Sequence, residues 1–311
     1  MYNVTEKDKF LESLPTAELR KMYVSLFGRS QCYEEKTGKD ILHFDADECS
    51  GLLAHMEPKS VKQLGVLKCQ FMKYVNWGME RKAVSRNHWV LIGYEEELVR
   101  DVFSCRNVKN LEDLERLVET GLSVPYDKYA VYLLFMGIMG DACEELAAVK
   151  DSDVDVTGRV ISTPRGRFHI HDPLYGVIRK GGYYKERKGR DEESAYFVKP
   201  YKTKTNKSGR VTYHYVSRVV CKLNRECDEV FPDKKLELVP MTIWRSGLFN
   251  RLYEIECVKG EVTEDDYGHV SRMFGNGSSF SMYERDYELY KEVFWGGHDG
   301  QGQYRRISQG V

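Results

Sequence analysis

Apolar residues return every three or four positions through the first third of the chain, and that period limits the possible folds more than any other feature. Lys7–Leu14, Thr16–Phe27 and Asp45–His55 each carry it, as helices do when one stripe faces a core. The clearest case opens at Pro58-Lys59-Ser60. Val61, Leu64, Phe71, Val75 and Met79 fall on one stripe, with Lys59, Lys62, Lys68 and Lys73 mostly off it. The stripe reads as core. The lysine face is ambiguous, because lysine is the commonest exposed helix residue.

A second helical stretch starts at Lys109 and leads through Tyr126-Asp127-Lys128-Tyr129 into the apolar run Ala130–Met139. After Asp155 the period changes. Val160-Ile161-Ser162 and Phe168-His169-Ile170 flank Thr163-Pro164-Arg165-Gly166-Arg167, the pattern of a hairpin with a basic tip. Leu174–Arg179 reads as a short helix, and Lys207-Ser208-Gly209 between Tyr201 and Tyr215 suggests another hairpin. Val211–Arg225, Ile243–Lys259 and Asp265–Phe274 read as helices, and Gly296–Val311 as a loose tail. The expectation is a mainly α protein with a small β-sheet. A length of 311 residues accommodates two domains, placed at 1–105 and 106–311.

Charge is separated sharply along this chain. Between Arg159 and Arg225 stand 17 Lys and Arg against five Asp and Glu, a net charge of +12, whereas the chain totals −1. Tyr183, Tyr184, Tyr196, Tyr201, Tyr213 and Tyr215 are interleaved with Lys202, Lys204, Lys207, Arg210, Arg218 and Lys222. A basic surface on an otherwise acidic protein attracts a polyanion, since each cation that neutralises a phosphate releases a counterion. A solvated basic loop is the blander alternative.

Other classes fall away. With 41% hydrophobic and 31% charged residues, the chain has the composition of a soluble globular protein. It has no run approaching the roughly 20 apolar residues of a membrane span. Met1–Phe10 is polar and lacks a signal-peptide core, so the chain is expected in the cytoplasm. The eight cysteines are scattered, with no C-x-x-C pair, which fits reduced thiols better than zinc or disulfides. His169 and His171 are one pair, too few for a metal site. No cofactor is expected.

Gly140-Asp141-Ala142-Cys143-Glu144-Glu145-Leu146, continuing to Lys150 and Asp153-Val154-Asp155, resembles the first catalytic box of the tyrosine recombinases, the phage integrase family. There a G-x-R-x-x-E-L stretch leads into L-K-x-x-D-I-D. Tyr33–Asp40 and the helix through Trp77 are similar to that family's core-binding domain. The resemblance implies a two-domain clamp, in which a helical, SAM-like core-binding domain and a catalytic-like α+β domain close on double-stranded DNA. It also implies a degenerate member. Ala142 stands at the first catalytic arginine, and the best register for H-x-L-R puts Ser246 and Phe249 at its histidine and arginine. Asn276 replaces the histidine of L-G-H, and the nucleophile would be sought near Tyr283 or Tyr287. Strand cleavage builds charge on an already anionic phosphate, and losing even one preorganised donor costs on the order of 10²–10³ in rate. The expectation is a protein that keeps DNA binding without catalysis, with no catalytic residues.

In its opening Met1-Tyr2-Asn3, its length, the Ser246-Gly247-Leu248 element and the vacant boxes, the chain is also similar to the master repressors of the lytic cycle in SPbeta-like Bacillus prophages. That likeness implies a transcriptional repressor that maintains lysogeny by occupying operator sites in a phage genome. It leaves open a small regulatory protein partner and whether the protein works as a monomer or a dimer. The expected DNA contacts are Lys59, Ser60, Lys62, Lys68 and Lys73 on a groove-facing helix, and Arg165 and Arg167 at the hairpin tip. Lys202, Lys204, Lys207 and Arg210 in the basic block, and Arg245, Asn250 and Arg251 on the later helix, complete the set. Arg251 could equally pair with Glu254. An active integrase and a protein-interaction factor that no longer binds DNA are the rival readings.

Overall fold

Ser60 begins the helix that anchors the first half of the molecule. In the computed structural model its hydroxyl accepts a hydrogen bond from the Gln63 amide at 3.1 Å, capping a helix over Val61–Glu80. The structure describes residues 1–93, 97–181, 194–200, 209–226, 230–232, 235–275, 277 and 283–296. The chain divides into two units, Met1–Phe103 and Ser104–Val311.

The first unit is helical: α1 (Val4–Ser13), α2 (Ala17–Thr37), α3 (Ala46–His55) and α4 (Val61–Glu80). Local chemistry sets the boundaries. The Thr16 hydroxyl caps α2, and Gly38, at φ 69°, ends it in the left-handed conformation that glycine adopts freely. Asp45 and Glu48 form a reciprocal capping box at the start of α3. Rings fill the core: Phe10 meets Tyr23 edge-on at 4.8 Å, Phe27 meets Tyr74 at 4.9 Å, and Phe71 stacks on Trp89. Met79, expected on the buried stripe, is exposed instead, because it sits at the last turn of α4, beyond those rings.

One charged group lies inside this apolar core. Lys7 Nζ donates to both carboxylate oxygens of Glu34, at 2.5 and 2.6 Å. Both side chains are fully buried, and Asp40 lies 3.8 Å from the ammonium. Ser30 donates to Glu34 and Tyr74 to Asp40, so the pair sits in a polar network, the condition for tolerating buried charge.

The chain passes through α5 (Glu97–Arg106) into the second unit, which holds α6 (Leu111–Gly121), α7 (Pro125–Phe135) and α8 (Glu144–Ala148). A three-stranded antiparallel sheet follows, from β1 (Val154–Asp155), β2 (Val160–Thr163) and β3 (Gly166–His169) in that order. Then come α9 (Asp172–Gly181), α10 (Tyr213–Glu226), α11 (Pro240–Lys259), α12 (Glu264–Met273) and α13 (Glu284–Trp295). The protein is thus mainly α with a small β-sheet. The β2–β3 hairpin is present, with a tighter turn than the sequence suggested: Thr163, Gly166 and Arg167 belong to the strands, Val160 lies opposite His169 and Thr163 opposite Gly166. The hairpin suggested around Lys207-Ser208-Gly209 falls largely on residues 201–208, outside the described set; its far end, Tyr213–Tyr215, opens α10. The tail beyond Gly296 also lies outside it.

α7 and α11 form the centre of the second unit and run against each other closely. A Cβ built on Gly247 would fall 1.9 Å from the Phe135 carbonyl oxygen, so only glycine permits this approach. Ser246 is turned toward the segment before α6, accepting from the Val108 amide at 3.0 Å and donating to the Thr242 carbonyl at 2.7 Å.

Candidate nucleic-acid interface

α4 is the first candidate. Twenty residues long, it contains no acidic residue before Glu80. With its apolar stripe buried, it presents Lys62, Val66, Cys69 and Lys73 on its outer side. These positions are four, three and four residues apart and so share one helix face. Lys59 is exposed just before the helix. Ser60 is occupied as the cap. Lys68 turns away from the face, because its ammonium donates to the Ile92 carbonyl. The expectation that Ser60 and Lys68 reach a groove therefore does not carry over.

Sequence reasoning missed an extension of this surface. Directly after α4, Arg81, Lys82 and Arg86 are exposed, and Arg81 lies over the Trp77 ring at 5.1 Å. Lys82, Arg86, His43 and His88 line one surface depression with Met79. Its signal in the sequence is three cations within six residues, with no acid among them.

In the second unit the two hairpin arginines part company. Arg167 is exposed. Arg165 turns inward: its Nε donates to Glu145 Oε1 at 2.8 Å, and its Nη2 donates to the Gly137 carbonyl at 2.8 Å and to Glu145 Oε2. Its Nη1 donates to the Met273 carbonyl. The expectation that Arg165 contacts DNA is corrected accordingly. The other cations of the block are also divided. Lys199 is buried on Asp151 and the Ser194 carbonyl, each at 2.8 Å. Arg159 pairs with Asp172 at 2.6 Å. Arg210 is exposed, with its guanidinium over the Tyr196 ring at 4.8 Å. Lys202, Lys204 and Lys207 lie outside the described residues. The outer side of α10 shows His214, Arg218 and Arg225, again on one face.

α11 carries the residues expected at the second box. Ser246 and Phe249 are both fully buried; Phe249 packs among the rings of Tyr283, Tyr287 and Tyr290. Neither position could face a phosphate. The same four-residue frame moved one helical turn earlier, Thr242-Ile243-Trp244-Arg245, ends on an arginine. Thr242 there is spent on capping α11, exchanging hydrogen bonds with the Val239 backbone. Arg245 is largely buried and pairs with Asp286 at 3.3 Å. Burial lowers its pKa, with Asp286 opposing and the nearby Arg106 reinforcing that shift. Asn250, expected at base edges, is buried and donates to Glu254 Oε1 at 2.8 Å. Arg251 is 52% exposed and pairs with the same carboxylate.

Of the tyrosines, Tyr287 is unsuited to attack. It is buried and donates to Glu256 at 2.5 Å. Burial, together with that acceptor, raises its phenol far above the ordinary value. Tyr283 is half-buried at the start of α13. Ala142 is exposed in a left-handed conformation, φ 44° and ψ 33°, and Asn276 lies outside the described residues. Among the described residues no helix is long and apolar enough to cross a membrane.

An all-helical unit with a cation-bearing helix, followed by an α+β unit with a basic-tipped hairpin and an incomplete arginine–histidine set, resembles a degenerate tyrosine recombinase. Residues 1–80 match the family model described as MrpR, N-terminal core-binding domain. No curated protein matches the chain. Among solved structures, a lambda integrase (75-356) dimer bound to a COC' core site is 12% identical with a TM-score of 0.45, covering 96% of this chain and 95% of that one. The Tn1549 transposon integrase in complex with a circular intermediate DNA is 11% identical with a TM-score of 0.43, covering 90% and 93%. The XerA recombinase is 12% identical with a TM-score of 0.39, covering 92% of each chain. These are distant likenesses.

Proposed function

We propose that this protein binds double-stranded DNA at particular sequences, does not cut it, and acts as a prophage repressor that maintains lysogeny in the bacterial cytoplasm. The observation that carries the reading is the outer face of α4, inside the segment that matches a core-binding domain. Lys62 and Lys73 stand at the two ends of that face, with Val66 and Cys69 between them. Eleven residues of helix separate the lysines by roughly 16 Å, enough to reach phosphates on both walls of a major groove about 12 Å wide. The cations would position the helix, and the small side chains between them would meet base edges. Lys59, Arg167, Arg210 and the cations at 81–86 supply further phosphate contacts in this reading.

The donor set supports a reading without catalysis. Phosphoryl transfer needs preorganised cations at the reacting phosphate. Here the first arginine position is Ala142, and Thr242 is committed to a cap. Site-specific binding without cleavage suits occlusion of a promoter. Fluorescence anisotropy with duplex DNA across a salt series tests the binding, and incubation with nicked duplexes tests the chemistry. Salt-dependent affinity without covalent adducts is the expected outcome. One observation favours a second reading: Arg245 remains and lies near the half-buried Tyr283. A covalent protein–DNA adduct abolished by Tyr283→Phe would establish an active recombinase instead.

A further inference from the structure

We infer that Arg165 is a positioning residue for the DNA-binding hairpin, an internal cation that pairs with Glu145 and ties the hairpin to two other segments of the second unit. The Glu145 side chain is only 14% exposed. A carboxylate so placed is costly unless paired. Arg165 supplies the partner from the hairpin tip, 20 residues further along the chain.

The geometry goes beyond a simple pair. Both Glu145 oxygens accept from the guanidinium, which also donates to the carbonyls of Gly137 and Met273. Those contacts use all but one of the N–H donors an arginine has, so nothing is left for a two-point grip on a phosphate. The backbone is shaped around the head group. Gly275, at φ 63°, would bring an added Cβ to 2.9 Å from Arg165 Nη1, and Gly137, at φ 93°, lies against the Phe274 ring. Phe168 of β3 lies beneath the guanidinium at 5.5 Å. Three distant segments, 137–145, the hairpin and 273–275, are thereby fixed to one planar group. A lysine, a point charge on a flexible stem, cannot make the same set of contacts.

The consequence is a division of labour within one turn: Arg165 holds the hairpin down, and the exposed Arg167 is presented on it. The DNA arm of the test rests on the function proposed above; the exchange arm does not. Hydrogen exchange at residues 160–169, and DNA affinity against salt, are to be measured for Arg165→Ala, Arg165→Lys, Glu145→Gln and Arg167→Ala. The expected result is hairpin exchange faster by roughly 100-fold in Arg165→Ala, faster also in Arg165→Lys and Glu145→Gln, and unchanged in Arg167→Ala. Affinity for DNA falls in Arg165→Ala with an unchanged salt slope, whereas Arg167→Ala lowers the slope by about 0.9. If Arg165→Ala does not fold, Arg165→Lys and Glu145→Gln decide by the same readouts. Unchanged exchange in those variants, or a slope lowered by Arg165 substitution as much as by Arg167→Ala, overturns the proposal. If no form of the protein binds DNA, the proposed function fails while the exchange data still decide whether Arg165 orders the hairpin.

Discussion

Replacing Lys62 and Lys73 together by alanine isolates the proposed recognition helix from everything else in the protein. Both side chains are exposed on α4, and alanine is the best helix former. Stability should therefore change by no more than about 0.5 kcal/mol for each. The binding effect is electrostatic and can be worked out. Each lost phosphate contact lowers the slope of log affinity against log salt by about 0.9. At 0.15 M salt that is roughly a fivefold loss per lysine, or about 30-fold for the pair, vanishing as salt approaches 1 M. The assay is anisotropy of a labelled duplex between 0.05 and about 0.5 M salt, with circular dichroism to confirm the helix. A slope lower by about 1.8 is expected. An unchanged slope with intact structure would remove the α4 face from the interface and refute the reasoning.

Further expectations follow from the packing. Gly247→Ala should destabilise the second unit by about 3 kcal/mol or more by overpacking, because its methyl would meet the Phe135 carbonyl; a denaturant midpoint that does not move would contradict the packing. Lys7→Met should cost about 3–5 kcal/mol by stranding a buried carboxylate, since Glu34 has no exposure and its pKa is already raised, chiefly by burial. The double variant Lys7→Met with Glu34→Leu should recover much of that loss in a thermal melt. Burial lowers the pKa of His171 to about 4 from an ordinary 6.5. As pH falls between those values the unfolded chain takes up a proton that the folded chain refuses. Stability present above pH 6.5 is lost toward pH 4, by at most roughly 3 kcal/mol. Melts of His171→Phe against the native protein should show a flatter profile over that window.

The sequence carried the local elements well, for physical reasons. The hairpin at 160–169 was legible because alternation and a Pro-Arg-Gly turn are properties of adjacent residues. α4 was legible because one face is apolar and the other is not. α11 was located but its faces were not: residues buried on nearly every side, from Thr242 to Tyr253, leave no polar face to mark orientation. The inward turn of Arg165 was illegible for another reason. It depends on Gly137 and Met273, the latter 108 residues away, and nothing local distinguishes it from Arg167. A count of charge likewise cannot separate a buried cation such as Lys199 from an exposed one such as Arg210.

The most direct test of the central claim mixes the purified protein with sheared DNA from a host carrying a prophage, then recovers and sequences the bound fragments. A short repeated motif near prophage promoters, recovered in uncut fragments, is the result that a site-specific, non-cleaving repressor predicts. Fragments no different from random DNA would contradict it, and fragments cut at the motif would make the protein a recombinase.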